Sequence, residues 1–146
     1  MNRSELFAAT PLANEAALVD HVADFLRKRG YRVRLEVPNM GQSMDIAATK
    51  GRWLTAVEAK MRDWRRALDQ CLAHEHVADY ICVAIGAPAV PSDFMAQCSK
   101  RGYGIIHYRN DANACALVQA PARNRNVWIA QRRCLARHLR GISHVQ

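Results

Sequence analysis

The sequence has no acidic residue after Asp111, no Cys-x-x-Cys pair and no apolar run near the roughly eighteen residues that a membrane span needs. The last absence excludes a membrane-spanning helix, although half of the residues are hydrophobic. The five cysteines, Cys71, Cys82, Cys98, Cys115 and Cys134, are odd in number and widely spaced. Neither a disulfide framework nor a zinc knuckle is expected, and they read as reduced, mostly core residues. Residues 1 to 14 lack the basic and apolar regions of an export signal, so a cytoplasmic location is expected. His74 and His76 lie two residues apart rather than one helical turn apart, so they do not form a helical metal pair. Both are expected at the surface.

The missing acids shape the charge. Residues 1 to 111 carry fifteen Lys or Arg against thirteen Asp or Glu, a balance of +2, whereas residues 112 to 146 supply the remaining +6 through six arginines. Such a polycation attracts phosphates by counterion release whatever the nucleic-acid sequence. A solvated face, or a patch for acidic protein or lipid, would show the same charge. A chain of 146 residues fits one core. The expected organisation is a core domain over residues 1 to 111 and a basic C-terminal extension over 112 to 146, helical and packed on the core through Trp128, Leu135 and Leu139.

Two periods alternate along the core. From Asn14 to about Arg29, Leu18, Val22, Phe25 and Leu26 recur at helical spacing, with Asn14 as N-cap and Gly30 as stop. Tyr31, Val33, Leu35 and Val37 then alternate with Arg32, Arg34 and Glu36, the pattern of a half-buried strand. Pro38-Asn39-Met40-Gly41 reads as a turn, 43 to 49 as a second strand, Lys50-Gly51 as a tight connection and 53 to 60 as a third strand. A helix over 63 to 76 follows. The apolar run from Tyr80 to Ile85 predicts an interior strand. Ser92 is expected to cap a helix to about Arg101, and a short strand to end at Tyr108. The order αβββαβαβ predicts an α/β fold, a mixed central sheet flanked by helices on both faces.

The chemistry lies on strands two and three. In the third strand Leu54, Ala56, Glu58 and Lys60 share one face. Glu58 and Lys60 therefore project together, roughly 7 Å apart along the strand. A turn at Lys50-Gly51 pairs residues whose numbers sum to about 101 to 103, which brings Asp45 near Glu58. Two close carboxylates repel unless a cation or proton lies between them, and hard oxygen ligands select Mg²⁺ or Mn²⁺. Lys60 can orient a water and offset charge on a phosphate.

Asp45, twelve intervening residues and then Glu58-Ala59-Lys60, placed on the second and third strands after a helix, resemble the PD-(D/E)XK nuclease superfamily, the restriction-endonuclease-like fold. The resemblance covers residues 14 to about 108. It implies Asp45 and Glu58 as metal ligands and Lys60 as the water-orienting base. It also implies Glu15 on the first helix as an outer or additional ligand, Gln70 on the following helix as a supporting polar contact, and products with a 5′-phosphate. Met44 stands where the eponymous proline would precede Asp45, and some relatives keep the fold without cleavage.

The function expected is therefore Mg²⁺-dependent hydrolysis of phosphodiester bonds, in DNA and structure-selective, since the chain has little room for a sequence-reading domain. A homodimer would supply two cuts. Arg62, Arg65 and Arg66 would grip phosphates beside the scissile bond, with Trp64 core and a solvated helix face as the bland alternative. Arg123, Arg125, Arg132 and Arg133 are expected as further nucleic-acid contacts because they lack acidic partners. The alternative function is a non-cleaving binder of nucleic acid or protein on the same fold.

Overall fold

The computed structural model of the chain describes Leu12 and residues 14 to 145, with side chains as far as Arg140. Most of the segment read for an export signal lies outside the described residues. The described part is an α/β arrangement of one mixed six-stranded sheet and four helices. None of these helices is long and apolar enough to cross a membrane.

Helix α1 (Glu15–Lys28) begins where the Asn14 side chain accepts the Ala17 N–H at 2.9 Å, satisfying one of the free donors of the first turn. Strands β1 (Arg32–Asn39), β2 (Gln42–Lys50) and β3 (Trp53–Lys60) form an antiparallel meander. The turn between β1 and β2 is shorter than the sequence suggests. Pro38 and Asn39 stay in β1, and only Met40 and Gly41 reverse the chain, at φ 51° and 79°. Pro38 is tolerated because β1 is an edge strand. Two positive φ angles are the mark of a type I′ hairpin, which favours Asn-Gly. Met40 is exposed and contributes no core packing. Met40→Asn is therefore expected to raise stability by about 1 kcal/mol, or roughly 2–4 °C in Tm, as read by thermal denaturation.

Helix α2 (Trp64–His74) returns the chain to β4 (Tyr80–Ile85), which runs parallel to β3. Helix α3 (Ser92–Arg101) leads to β5 (Gly104–Arg109), parallel to β4. Ser92 is the first residue of α3 rather than its cap. Pro91 holds the cap position, and no side chain accepts a bond there.

The sheet does not stop at Asp111. Strand β6 (Ala114–Gln119) adds an antiparallel edge to β5, so the expected boundary between 111 and 112 falls in a hairpin turn. Helix α4 (Ile129–Val145) then lies on the core through Leu135, with Leu139 packed beside it. Trp128 is 55% exposed and stacks on His76 rather than entering the core, with ring centroids 4.0 Å apart.

The sheet separates two apolar layers. On one face Leu18, Val22 and Leu26 of α1 meet Ile46, Val57 and Ala84. On the other, Trp64 and Leu68 of α2, Phe94 of α3 and Leu135 of α4 meet Ala47, Leu54 and Ile81. Strand β4 lies between β3 and β5 and is buried along nearly its whole length. Burial pushes the Cys82 and Cys98 thiols up to about 12, which leaves them unreactive. All five cysteines are free thiols, and Cys71, Cys82 and Cys98 are buried.

Candidate functional site

Strands β2 and β3 pair from Lys50↔Trp53 to Ile46↔Val57, so each pair of numbers sums to 103 and Asp45 comes opposite Glu58. The backbone ladder ends there. In its place the Asp45 carboxylate accepts the Ala59 N–H at 2.8 Å. On the other side of β2, Glu36 is held at a positive φ of 52° and the β1 ladder skips the Glu36–Asp45 position. The sheet thus opens on both sides of Asp45, and the end of β3 is paired only with β4.

Glu58 is near enough to Asp45 to disturb its charge. Asp45 is raised to about 6, chiefly because burial penalises its charge, and further by the neighbouring Glu58. The Ala59 N–H and Lys60 act in the opposite direction. For an acid raised in this way, the native state keeps a proton that the unfolded chain releases from the ordinary value near 3.8 upward. Stability therefore falls as pH rises through that window to about 6, and the loss persists above it. Asp45→Asn keeps the acceptor for Ala59 without the charge. Without divalent metal, the variant's Tm should overtake the wild type's by about 2–4 °C between pH 4 and 7, for a partly exposed group worth on the order of 1 kcal/mol. Parallel melting curves over that range check the result.

Glu58 is fully buried. One of its oxygens, Oε1, lies 2.5 Å from Nε2 of His74, which is also fully buried. The other, Oε2, has no hydrogen-bond partner among the described residues. The tautomer of His74 follows from Asn39. Its amide nitrogen donates both to the Ala73 carbonyl, at 3.1 Å, and to His74 Nδ1, at 3.0 Å. Nδ1 is therefore the acceptor, and Nε2–H donates to Glu58. A strand-end amide next to the Met40-Gly41 turn orients a helix histidine, which in turn fixes one oxygen of Glu58.

Of the two histidines expected at the surface, His74 is fully buried and His76 is half-buried. His74 closes the buried stripe of α2 after Trp64, Ala67, Leu68 and Cys71, and His76 is covered by Trp128. The stripe was the signal for His74, because a helical period running inward through Cys71 reaches it one turn later.

Lys60, the last residue of β3, sends its ammonium to within 3.8 Å of Glu15 at the start of α1. Glu58 and Lys60 share a parity but not a bonding partner, because Glu58 meets His74 of α2 while the long lysine chain at the strand end reaches Glu15 of α1. Glu15 pairs with Lys60, and among the described residues no three His, Cys, Asp or Glu side chains gather around one point. Glu15 is thus a partner of the lysine. Gln70 lies one turn before His74, and its Oε1 is buried without a partner.

The arginines divide into two groups. Arg62, Arg65 and Arg66 are exposed at the start of α2, at the same end of β3 as Lys60. Trp64 between them is core, 5.4 Å from Phe94, with the Arg65 guanidinium 4.1 Å above its ring. Arg123 and Arg132 lie at the other end, about 23 Å along β3 by strand rise. Arg123 stacks over Trp53 at 4.7 Å. Arg132, expected as an unpaired nucleic-acid contact, has an acidic partner in Asp79 at 3.2 Å and donates to the carbonyls of Val77 and Arg52. It is half-buried, and it ties α4 to the turn before β4. Arg125 and Arg133 are exposed.

No protein-family model and no curated protein sequence matches the chain. Solved structures of similar fold include SPO1766, a protein of unknown function from Silicibacter pomeroyi, at 20% identity and a TM-score of 0.63 over 94% of this chain and 90% of that one. AF1548, also of unknown function, is 12% identical with a TM-score of 0.51 over 62% of this chain and 56% of that one. An XisH family protein from Nostoc punctiforme PCC 73102 is 16% identical with a TM-score of 0.47, over 68% and 95% of the two chains. For SPO1766 and AF1548 the likeness, at these identities, is one of fold.

Proposed function

We propose that the chain is a metal-dependent nuclease of restriction-endonuclease-like fold, which hydrolyses phosphodiester bonds in DNA at the open end of β3. The observation that carries this reading is the meeting of Asp45 with Glu58, whose Oε2 is buried without a partner where the ladder between β2 and β3 ends. An orphan carboxylate oxygen beside a second carboxylate is costly unless a cation or proton joins them. Mg²⁺ suits the donor set, since it is commonly bound by one or two carboxylates and completes its shell with water and substrate phosphate.

Asp45 and Glu58 would hold the ion, which when bound activates a water and screens charge on the phosphate. Lys60 ends the same strand within electrostatic reach of Asp45, and its ammonium would hold the attacking water and offset charge building on the phosphoryl oxygens. The Glu15 carboxylate restrains that ammonium on the side away from Glu58. Arg62, Arg65 and Arg66, exposed just beyond Lys60, would grip phosphates beside the scissile bond without reading bases.

One observation favours a second reading, a non-cleaving nucleic-acid binder: Glu58 is fully buried and one of its oxygens is already bonded to His74. The same experiment separates the two. Supercoiled plasmid, branched DNA and single-stranded DNA and RNA are incubated with Mg²⁺ or Mn²⁺. The nuclease reading expects nicked or cut products bearing 5′-phosphate. Binding to these substrates without any cleavage supports the second reading and overturns the first.

A further inference from the structure

Beneath α4, on the face of β1 to β3 away from α1, lies a cavity of about 360 Å³ walled by Arg32, Arg34, Arg52, Arg132 and Arg140. Three separate elements bring these side chains together. The alternation of β1 that sends Val33 to the α1 layer turns Arg32 and Arg34 the other way. Arg52 stands at the entrance to β3. The four-residue spacing of α4 aligns Arg132, Ala136 and Arg140 along the cavity. Between them the floor is apolar, with Ala47, Leu54 and Leu135.

No aspartate or glutamate lines this cavity among the described residues. Asp79 compensates Arg132 from outside it, whereas Arg32, Arg52 and Arg140 form no ion pair with a described carboxylate. Guanidinium groups do not shed their charge, so several of them around one cavity repel each other unless an anion is present. Their forks match the oxygens of a phosphate, and the apolar floor suits a flat unsaturated body. The volume falls in the range of small-ligand sites. Leu54 lies four residues before Glu58 on β3, about 13 Å away by strand rise, so this site is separate from the carboxylates.

We infer that this cavity binds a nucleoside phosphate, with the phosphate on the guanidinium wall and the base on the floor, either as a free nucleotide or as one residue of a nucleic-acid strand. The inference does not rest on the nuclease reading, since no carboxylate of that site takes part.

The test uses the full chain in EDTA, so that no cleavage intervenes, and isothermal titration with dAMP, deoxyadenosine, inorganic phosphate and an eight-nucleotide single strand. The expected result is that dAMP or the octanucleotide binds at least about tenfold more tightly than deoxyadenosine or phosphate. The doubly substituted Arg32→Met, Arg140→Met protein should lose about tenfold or more of that affinity. Both residues are exposed, and a melting curve confirms that the variant folds. A Lys100→Met, Arg109→Met protein of the same net charge should bind as the wild type does. Tight binding of dAMP supports a free nucleotide. Preference for the octanucleotide, with a salt dependence that weakens by about two phosphate contacts in the double variant, supports a strand. Binding of neither nucleotide probe overturns the inference, as does equal loss in the two double variants.

Discussion

Lys60→Ala and Asp45→Ala should each lower Mg²⁺-dependent cleavage by about 10³-fold or more, while the far-ultraviolet spectrum and the melting transition stay close to those of the wild type. Removing a single group that stabilises developing charge typically lowers a rate by about 10²–10³, and Asp45 would also hold the ion. Neither residue is a core side chain. Asp45 accepts one backbone bond at a sheet opening, and Lys60 bonds to a half-exposed glutamate. The loss should appear in kcat rather than KM, because these groups act on the reacting phosphate. Arg62→Ala and Arg66→Ala should do the reverse, raising KM several-fold with kcat little changed. An equal fall for all four variants would mean that the site has been placed at the wrong end of the sheet.

The second large effect concerns stability. His74→Leu should destabilise the protein by about 3 kcal/mol, because it leaves Glu58 buried with neither oxygen bonded. In a protein of this size that lowers Tm by about 6–12 °C. His74→Gln offers an amide donor in the same direction and should recover part of the loss. The informative comparison is Glu58→Leu combined with His74→Leu. If His74 serves Glu58, the pair should be markedly more stable than His74→Leu alone, since an apolar pair replaces an orphaned acid. Additive losses would show that His74 serves the packing of α2 instead.

Much of this site is legible in the sequence, and the reason is local. Strands β2 and β3 are joined by a two-residue turn that lies at Gly51-Arg52, one residue later than the expected Lys50-Gly51, and residue numbers alone still set the register that brings Asp45 to Glu58. Strand β4 is legible because an interior parallel strand is apolar throughout. What sequence hid depends on distant partners. Asn39, His74 and Glu58 form one chain of hydrogen bonds across three elements, and nothing at any one position announces the other two. Arg132 looks unpaired within the basic segment, yet its acid lies more than fifty residues earlier, at Asp79. Strand β6 escaped because Ala114 to Gln119 is a half-exposed edge without clean alternation, ordered by its pairing with β5. The position of Lys60 was half legible. Parity gave its strand face, while the reach of four methylenes at a strand end decided its neighbour.

The most direct measurement is a crystal of the wild-type protein soaked in Mn²⁺ and measured near the manganese absorption edge. An anomalous peak within bonding distance of an Asp45 oxygen and Glu58 Oε2, absent from crystals of Asp45→Asn, is the predicted result. Manganese elsewhere with these two carboxylates bare, or a Glu58 that stays closed against His74 and binds nothing at saturating metal, would contradict it.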